Sequence, residues 1–201
     1  MSTDYKNLIL QTIKKSDNIF DEIGRTFPKT QENIVIEGLG YTSFHIASAI
    51  ILLTDNGFNQ EATILLRSLI ENTVNLKWIL QDKENRIQLY FHDITGKGFG
   101  SSWANRNLKE RLTEVGFPKE YYDKVVKVTY SFSHTNAESL DWSNIQKDYP
   151  LLSKDSILVV TYQMLGHIIQ VLEKNISPKF DFAKEIFSHI KSAEETKDFS
   201  S

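Results

Sequence analysis

Hydrophobic positions recur at helical spacing along most of the chain. From about Thr3 to Ile23, Leu8, Ile9, Ile13 and Phe20 form a broad stripe, with Gly24 as a stop. A loop carrying Pro28 precedes a second helix, from about Gln31 to Asp55, with a break expected near Gly38 and Gly40. Asn56-Gly57 signals a turn. A third helix runs from about Asn59 to Gln81 and a fourth from about Lys83 to Thr95, ending before Gly96, Gly98 and Gly100. The segment Ser101 to Gly116 is polar, with a short helix around Leu108 to Val115. Pro118 suits a first turn and opens a helix from about Lys119 to Ser133. Asn136 to Pro150 reads as an irregular connection. Ser153 or Asp155 caps an apolar helix from Ile157 to Lys174, Pro178 starts the last one, and the tail frays after about Ala193. Strand alternation and internal repeats are absent. The pattern predicts an all-α fold, a bundle of about six or seven helices in one domain spanning residues 1–201, largely antiparallel because the turns are short.

The third helix is unusual. At about 100° per residue, Ala62, Leu65, Leu66, Leu69, Ile70, Leu76 and Leu80 share one wide face. Ile64, Val74 and Trp78 lie on the other side, with Arg67 and Glu71 among them, and Ser68, Asn72 and Asn75 form the polar strip. A helix apolar nearly all round is expected to be buried on more than one side. Arg67 and Glu71 can pair at i,i+4, but arginine on the N-terminal side is the weaker orientation, worth at most a few tenths of a kcal/mol. Inside a protein each ion would cost several kcal/mol to desolvate and would need further partners. The pair is therefore either a structural salt bridge or one wall of a polar pocket.

Composition narrows the function classes. The 201 residues carry a net charge of −3, so no global field draws the chain to nucleic acid or an anionic membrane. With no cysteine there are no disulfides, thiol nucleophiles or thiolate metal sites, which fits a reducing, cytoplasmic setting. The N-terminal MSTDYKNLIL has no signal-peptide pattern, and the longest apolar run, Ile46 to Leu53, is broken by Ser48 and too short for a bilayer, so no membrane association is expected. Glu185 and His189 are spaced one residue too far for a di-iron Glu-x-x-His element, the remaining histidines are scattered, and no metal or cofactor is expected. Gly96-Lys97-Gly98-Phe99-Gly100 is not preceded by a strand, which argues against a nucleotide loop. Trp103, Trp142, Tyr121 and Tyr122 are not interleaved with basic residues, and nothing signals DNA in particular.

The best partner for Arg67 and Glu71 is YSFSHTN, residues 130 to 136. Tyr121, Val125, Val128 and Phe132 form the core stripe of the helix it closes. His134 falls at the helix end, where the dipole favours its charged form, and Ser133, Thr135 and Asn136 add hydroxyl and amide groups. The bland reading is a helix C-cap.

ILLRSLIENTVNLKWIL, residues 64 to 80, followed by YSFSHTN, resembles a bacterial family of helical domains of unknown function with an arginine–serine–leucine–x–glutamate helix and a later serine/threonine–histidine element. The resemblance covers roughly residues 40 to 175 and implies that Arg67, Glu71 and His134 belong to one site. Arg86 and His92, with five residues between them, give a looser resemblance to the HEPN superfamily, helical bundles that include metal-independent ribonucleases of toxin and antiphage systems. An arginine and a histidine can cleave RNA without metal, the histidine as acid or base and the arginine on the phosphate. Two readings follow. One is a defence- or toxin-type ribonuclease acting on RNA through Arg67, Glu71, Ser133 and His134, with Asn75, Tyr130, Asn136, Arg86 and His92 in supporting roles. The other is a non-enzymatic helical module, a homodimer, that binds a protein partner or small ligand.

Overall fold

The computed structural model describes residues 4–26, 28, 30–94, 107–129, 153–175 and 182–198, with the backbone alone at 22–24, 26, 91–94 and 192–198. All regular structure among the described residues is helical. The elements are α1 (Tyr5–Thr26), α2 (Gln31–Asp55), α3 (Asn59–Gln81), α4 (Lys83–Ile94), α5 (Leu108–Glu114), α6 (Lys119–Tyr121), α7 (Lys154–Asn175) and α8 (Phe182–Asp198). A π-helical turn, Tyr122–Val126, extends α6, and residues 127–129 are again α-helical.

Helix α7 is the central pillar and touches α1, α2, α3 and α8. Its Ile157, Tyr162, Met164, Leu165, Ile168 and Leu172 are all buried. Helices α2 and α3 form the most extensive pair, an antiparallel hairpin. Its turn is a Schellman motif: the Phe58 amide donates to the Leu53 carbonyl (2.9 Å) and the Gly57 amide to the Thr54 carbonyl (3.3 Å), with Gly57 at φ +82°. As expected from its all-round apolar character, α3 buries both sides, Leu66, Leu69 and Leu76 on one and Val74 and Trp78 on the other.

Three details depart from the sequence pattern. Helix α2 is continuous through Gly38 and Gly40. A mid-helix glycine costs only about 0.5–1 kcal/mol, which tertiary packing of a long helix outweighs. Gly40 also serves that packing, because a Cβ there would stand 3.3 Å from the Phe20 ring. Helix α1 likewise passes Gly24 and ends at Thr26. In α6 the π turn inserts an extra residue, and Val126 and Thr129 join Val128 in the buried set.

Although its longest unbroken apolar run is short, α2 as a whole, like α7, has the length and composition of a membrane span. The fold buries 61% of that window in α7 but only 50% in α2. Among the described residues, one face of α2 is left uncovered.

Candidate functional site

Residues 67, 71, 75 and 78 follow one another at steps of four, four and three, so their side chains leave the same side of α3. Arg67 Nε donates to Glu71 Oε1 at 3.0 Å, with the two side chains 20% and 35% exposed. The pair is half-buried rather than sealed. One turn on, Asn75 Oδ1 accepts from Arg111 Nη1 of α5. At the next turn the Trp78 indole donates to Glu114 Oε2 at 2.9 Å. Glu114 Oε1 accepts from Arg86 Nη2 at 2.6 Å, and Arg86 Nη1 reaches the Trp78 carbonyl, also at 2.6 Å. The Arg86 guanidinium lies 3.8 Å above the Trp78 ring.

Helix α5 is locally prepared for this docking. Asn107 and Glu110 form a capping box at its start. At its end the Phe117 amide donates to the Leu112 carbonyl at 3.0 Å, with Gly116 at φ +89°. Arg111 and Glu114 are three residues apart, so both address α3.

The structure thus brings Arg67, Glu71 and Asn75 together on one row, and Arg86 reaches its far end. Arg86 is engaged with Glu114 and Trp78, so a catalytic use of its guanidinium would break an ion pair. Tyr130, Ser133, His134 and Asn136 lie outside the described residues, as does the side chain of His92. Arg111, Glu114 and Trp78, which close the row, were not legible as site residues. Glu185 and His189 have separate partners: Lys15 at 2.9 Å and the Tyr162 hydroxyl at 3.0 Å.

A second polar region lies where α3 and α7 end and α4 begins. It is a cleft of about 650 Å³. Lys77, Lys83, Lys174, Gln81, Gln170 and Asn175 supply its polar lining, and none of its lining residues is acidic. Lys83 is paired with Glu32 at 2.5 Å, whereas Lys77 and Lys174 have no ion-pair partner among the described residues. Burial holds the Lys77 amine below the usual lysine range. Its Nζ stands 5.0 Å from the Phe117 ring centre.

The His167 imidazole packs against the same Phe117 ring, with centroids 4.9 Å apart, and lies 5.1 Å from Phe187. Burial, helped by the Lys77 charge and opposed by a hydrogen bond with Gln170, pulls its pKa down to about 4. His167 is therefore neutral near pH 7. Its Nδ1 and the Tyr121 hydroxyl are buried without a hydrogen-bond partner among the described residues. Burial raises the Tyr121 pKa, which keeps the phenol protonated.

Residues 33–130, just under half of the chain, match the model of a family of unknown function, DUF5677. The matched span includes Arg67, Glu71, Asn75, Lys77 and Arg86 and ends before Ser133, His134, His167 and Lys174. No curated protein and no solved structure matches this chain.

Proposed function

We propose that this helical domain binds a small phosphate-bearing anion in the cleft at the ends of α3 and α7. The observation that carries this reading is a lining with three lysines and no carboxylate, two of the lysines without an ion partner among the described residues. Glu32 offsets Lys83. The carbonyl ends of α3 and α7 each contribute roughly half a negative charge and the start of α4 half a positive one, which leaves a surplus of roughly one to two positive charges. The volume falls within the range of small-molecule sites, about 300–1,000 Å³. The half-buried Lys77 ammonium is penalised by desolvation in the free protein, and a bound anion would relieve that penalty. The test is calorimetric titration with inorganic pyrophosphate. Binding should weaken at least about tenfold in Lys77→Met and in Lys174→Gln, the order expected for a charge-assisted hydrogen bond. Lys109→Gln, whose lysine pairs with Asp123 elsewhere, should bind like the parent. A parent that takes up no pyrophosphate, or cleft variants that bind as the parent does, would overturn the reading.

Metal-independent RNA cleavage is a second reading. It takes support from the α3–α5 row, where Arg67 and Arg111 stand near Glu71 and Asn75. In that reading Arg67 contacts the phosphate, Glu71 orients it, and His134 transfers the proton. Cleavage that persists unchanged in both Arg67→Ala and His134→Ala would rule it out.

A further inference from the structure

The uncovered face of α2 has an order of its own. Ile34, Gly38, Tyr41, His45, Ser48 and Leu52 are all exposed. They are spaced 4, 3, 4, 3 and 4 residues apart, the alternation that keeps a seam on one side of a helix packed against another helix. None carries a formal charge at pH 7 with histidine neutral. Leu52 is 65% exposed, and Ile34 and Tyr41 are about half exposed. Gly38 lies mid-helix with open space where its side chain would be, so nothing among the described residues calls for a glycine there. A second backbone passing close by would.

We propose that this seam is covered by α2 of a second copy of the chain, packed antiparallel about a twofold axis at residue 43. In that register Ile34 meets Leu52 of the partner subunit, Gly38 meets Ser48 of the partner subunit, and Tyr41 meets His45 of the partner subunit. Each contact occurs twice, as a self-complementary interface requires. Charge selects the antiparallel arrangement. The N-terminal end of α2 carries Glu32 and Glu37, and Lys83 of α4 pairs with Glu32 at 2.5 Å, which leaves one negative charge in excess. At its C-terminal end Lys6 (2.6 Å) and Lys154 (2.8 Å) converge on the single carboxylate of Asp55, leaving one positive charge in excess. Antiparallel packing sets these opposite ends side by side, whereas parallel packing opposes like charges.

The absence of native cysteine makes the register directly testable, because engineered thiols are the only ones present. Mild oxidation should convert the Ile34→Cys/Leu52→Cys double variant to a disulfide-linked dimer. The single Ser48→Cys variant should stay largely unlinked, since antiparallel packing keeps the two copies of residue 48 apart. Sedimentation should show the Leu52→Glu variant dissociating at least about tenfold more readily than the parent, with its helical circular dichroism retained because the position is exposed. Leu89→Glu, an exposed position on α4, should leave the assembly unchanged. Self-linking of Ser48→Cys would mean a parallel arrangement, in which the double variant links through like positions as well, and would overturn the proposal. A parent that remains monomeric at high concentration would also overturn it, as would a monomeric parent that floats with vesicles of mixed neutral and anionic phospholipid, where a bilayer covers the seam.

Discussion

Replacing Glu114 tests whether the row along α3 holds α5 in place. The Glu114→Ala variant loses two hydrogen bonds at once, from Arg86 at 2.6 Å and from the Trp78 indole at 2.9 Å. Trp78 is 3% exposed, so its N–H would lose this acceptor where water reaches poorly, at a cost of about 1–3 kcal/mol. The Arg86–Glu114 pair is 15% and 26% exposed. That places it between a sealed ion pair, where removing one partner costs about 3–5 kcal/mol, and a surface pair worth under about 1. We expect a total loss of about 3 kcal/mol. For a chain near 200 residues that is a fall in Tm of roughly 6–12 °C. Glu114→Gln keeps one acceptor for the indole but turns its amide NH2 toward Arg86, so it removes the ion pair alone and should cost less than the alanine variant, about 1–2 kcal/mol. Urea unfolding measures both, provided the slope with denaturant is unchanged. A loss below about 1 kcal/mol for Glu114→Ala would refute the reasoning, because it would show that α5 does not depend on these bonds.

Three further outcomes are expected. Arg67→Met should lower stability by less than about 1.5 kcal/mol in the same assay, because the Glu71 partner is 35% exposed and can be solvated; a loss of roughly 3 kcal/mol or more would show a carboxylate stranded in the interior. His167 has a folded pKa of about 4 against an ordinary 6.5, so the unfolded chain binds more protons between those values. Its contribution is fully present above about pH 6.5 and is lost as pH falls toward 4, by up to about 3 kcal/mol; unfolding free energies measured across that window should lose this slope in His167→Gln. Gly166→Ala should destabilise by about 1–3 kcal/mol in thermal unfolding, since its Cβ would stand 2.8 Å from Ile186 Cγ2, where α7 meets α8; an unchanged Tm would show that Ile186 yields freely.

The helices were legible because their apolar period is strong and their turns carry clear signals, as at Asn56-Gly57 and Pro118. The two-sided burial of α3 followed from the absence of a broad polar face. The continuity of α2 was not legible, since a glycine's modest local cost is set against tertiary contacts that only the fold reveals, such as the Phe20 ring beside Gly40. The π turn in α6 was invisible for the same reason: a single inserted residue leaves no periodicity of its own. Pairing of Arg67 with Glu71 and their alignment with Asn75 could be read from spacing. Arg111 and Glu114 could not, because each stands 36 residues from its partner on α3 and meets it only through docking. The lysine cleft was missed because Lys77 and Lys174 are nearly a hundred residues apart and each, taken alone, looks like an ordinary solvated side chain.

The function proposed for the cleft turns on whether the ends of α3 and α7 hold a small anion. The most direct measurement is two-dimensional amide NMR of the parent protein titrated with inorganic pyrophosphate, beside an equal ionic strength of sodium chloride. Saturable shifts should concentrate at residues 77–83 and 170–175, be absent with chloride and be abolished in the Lys77→Met/Lys174→Gln double variant. Shifts scattered over surface lysines such as Lys109 and Lys119, or none at all, would contradict it.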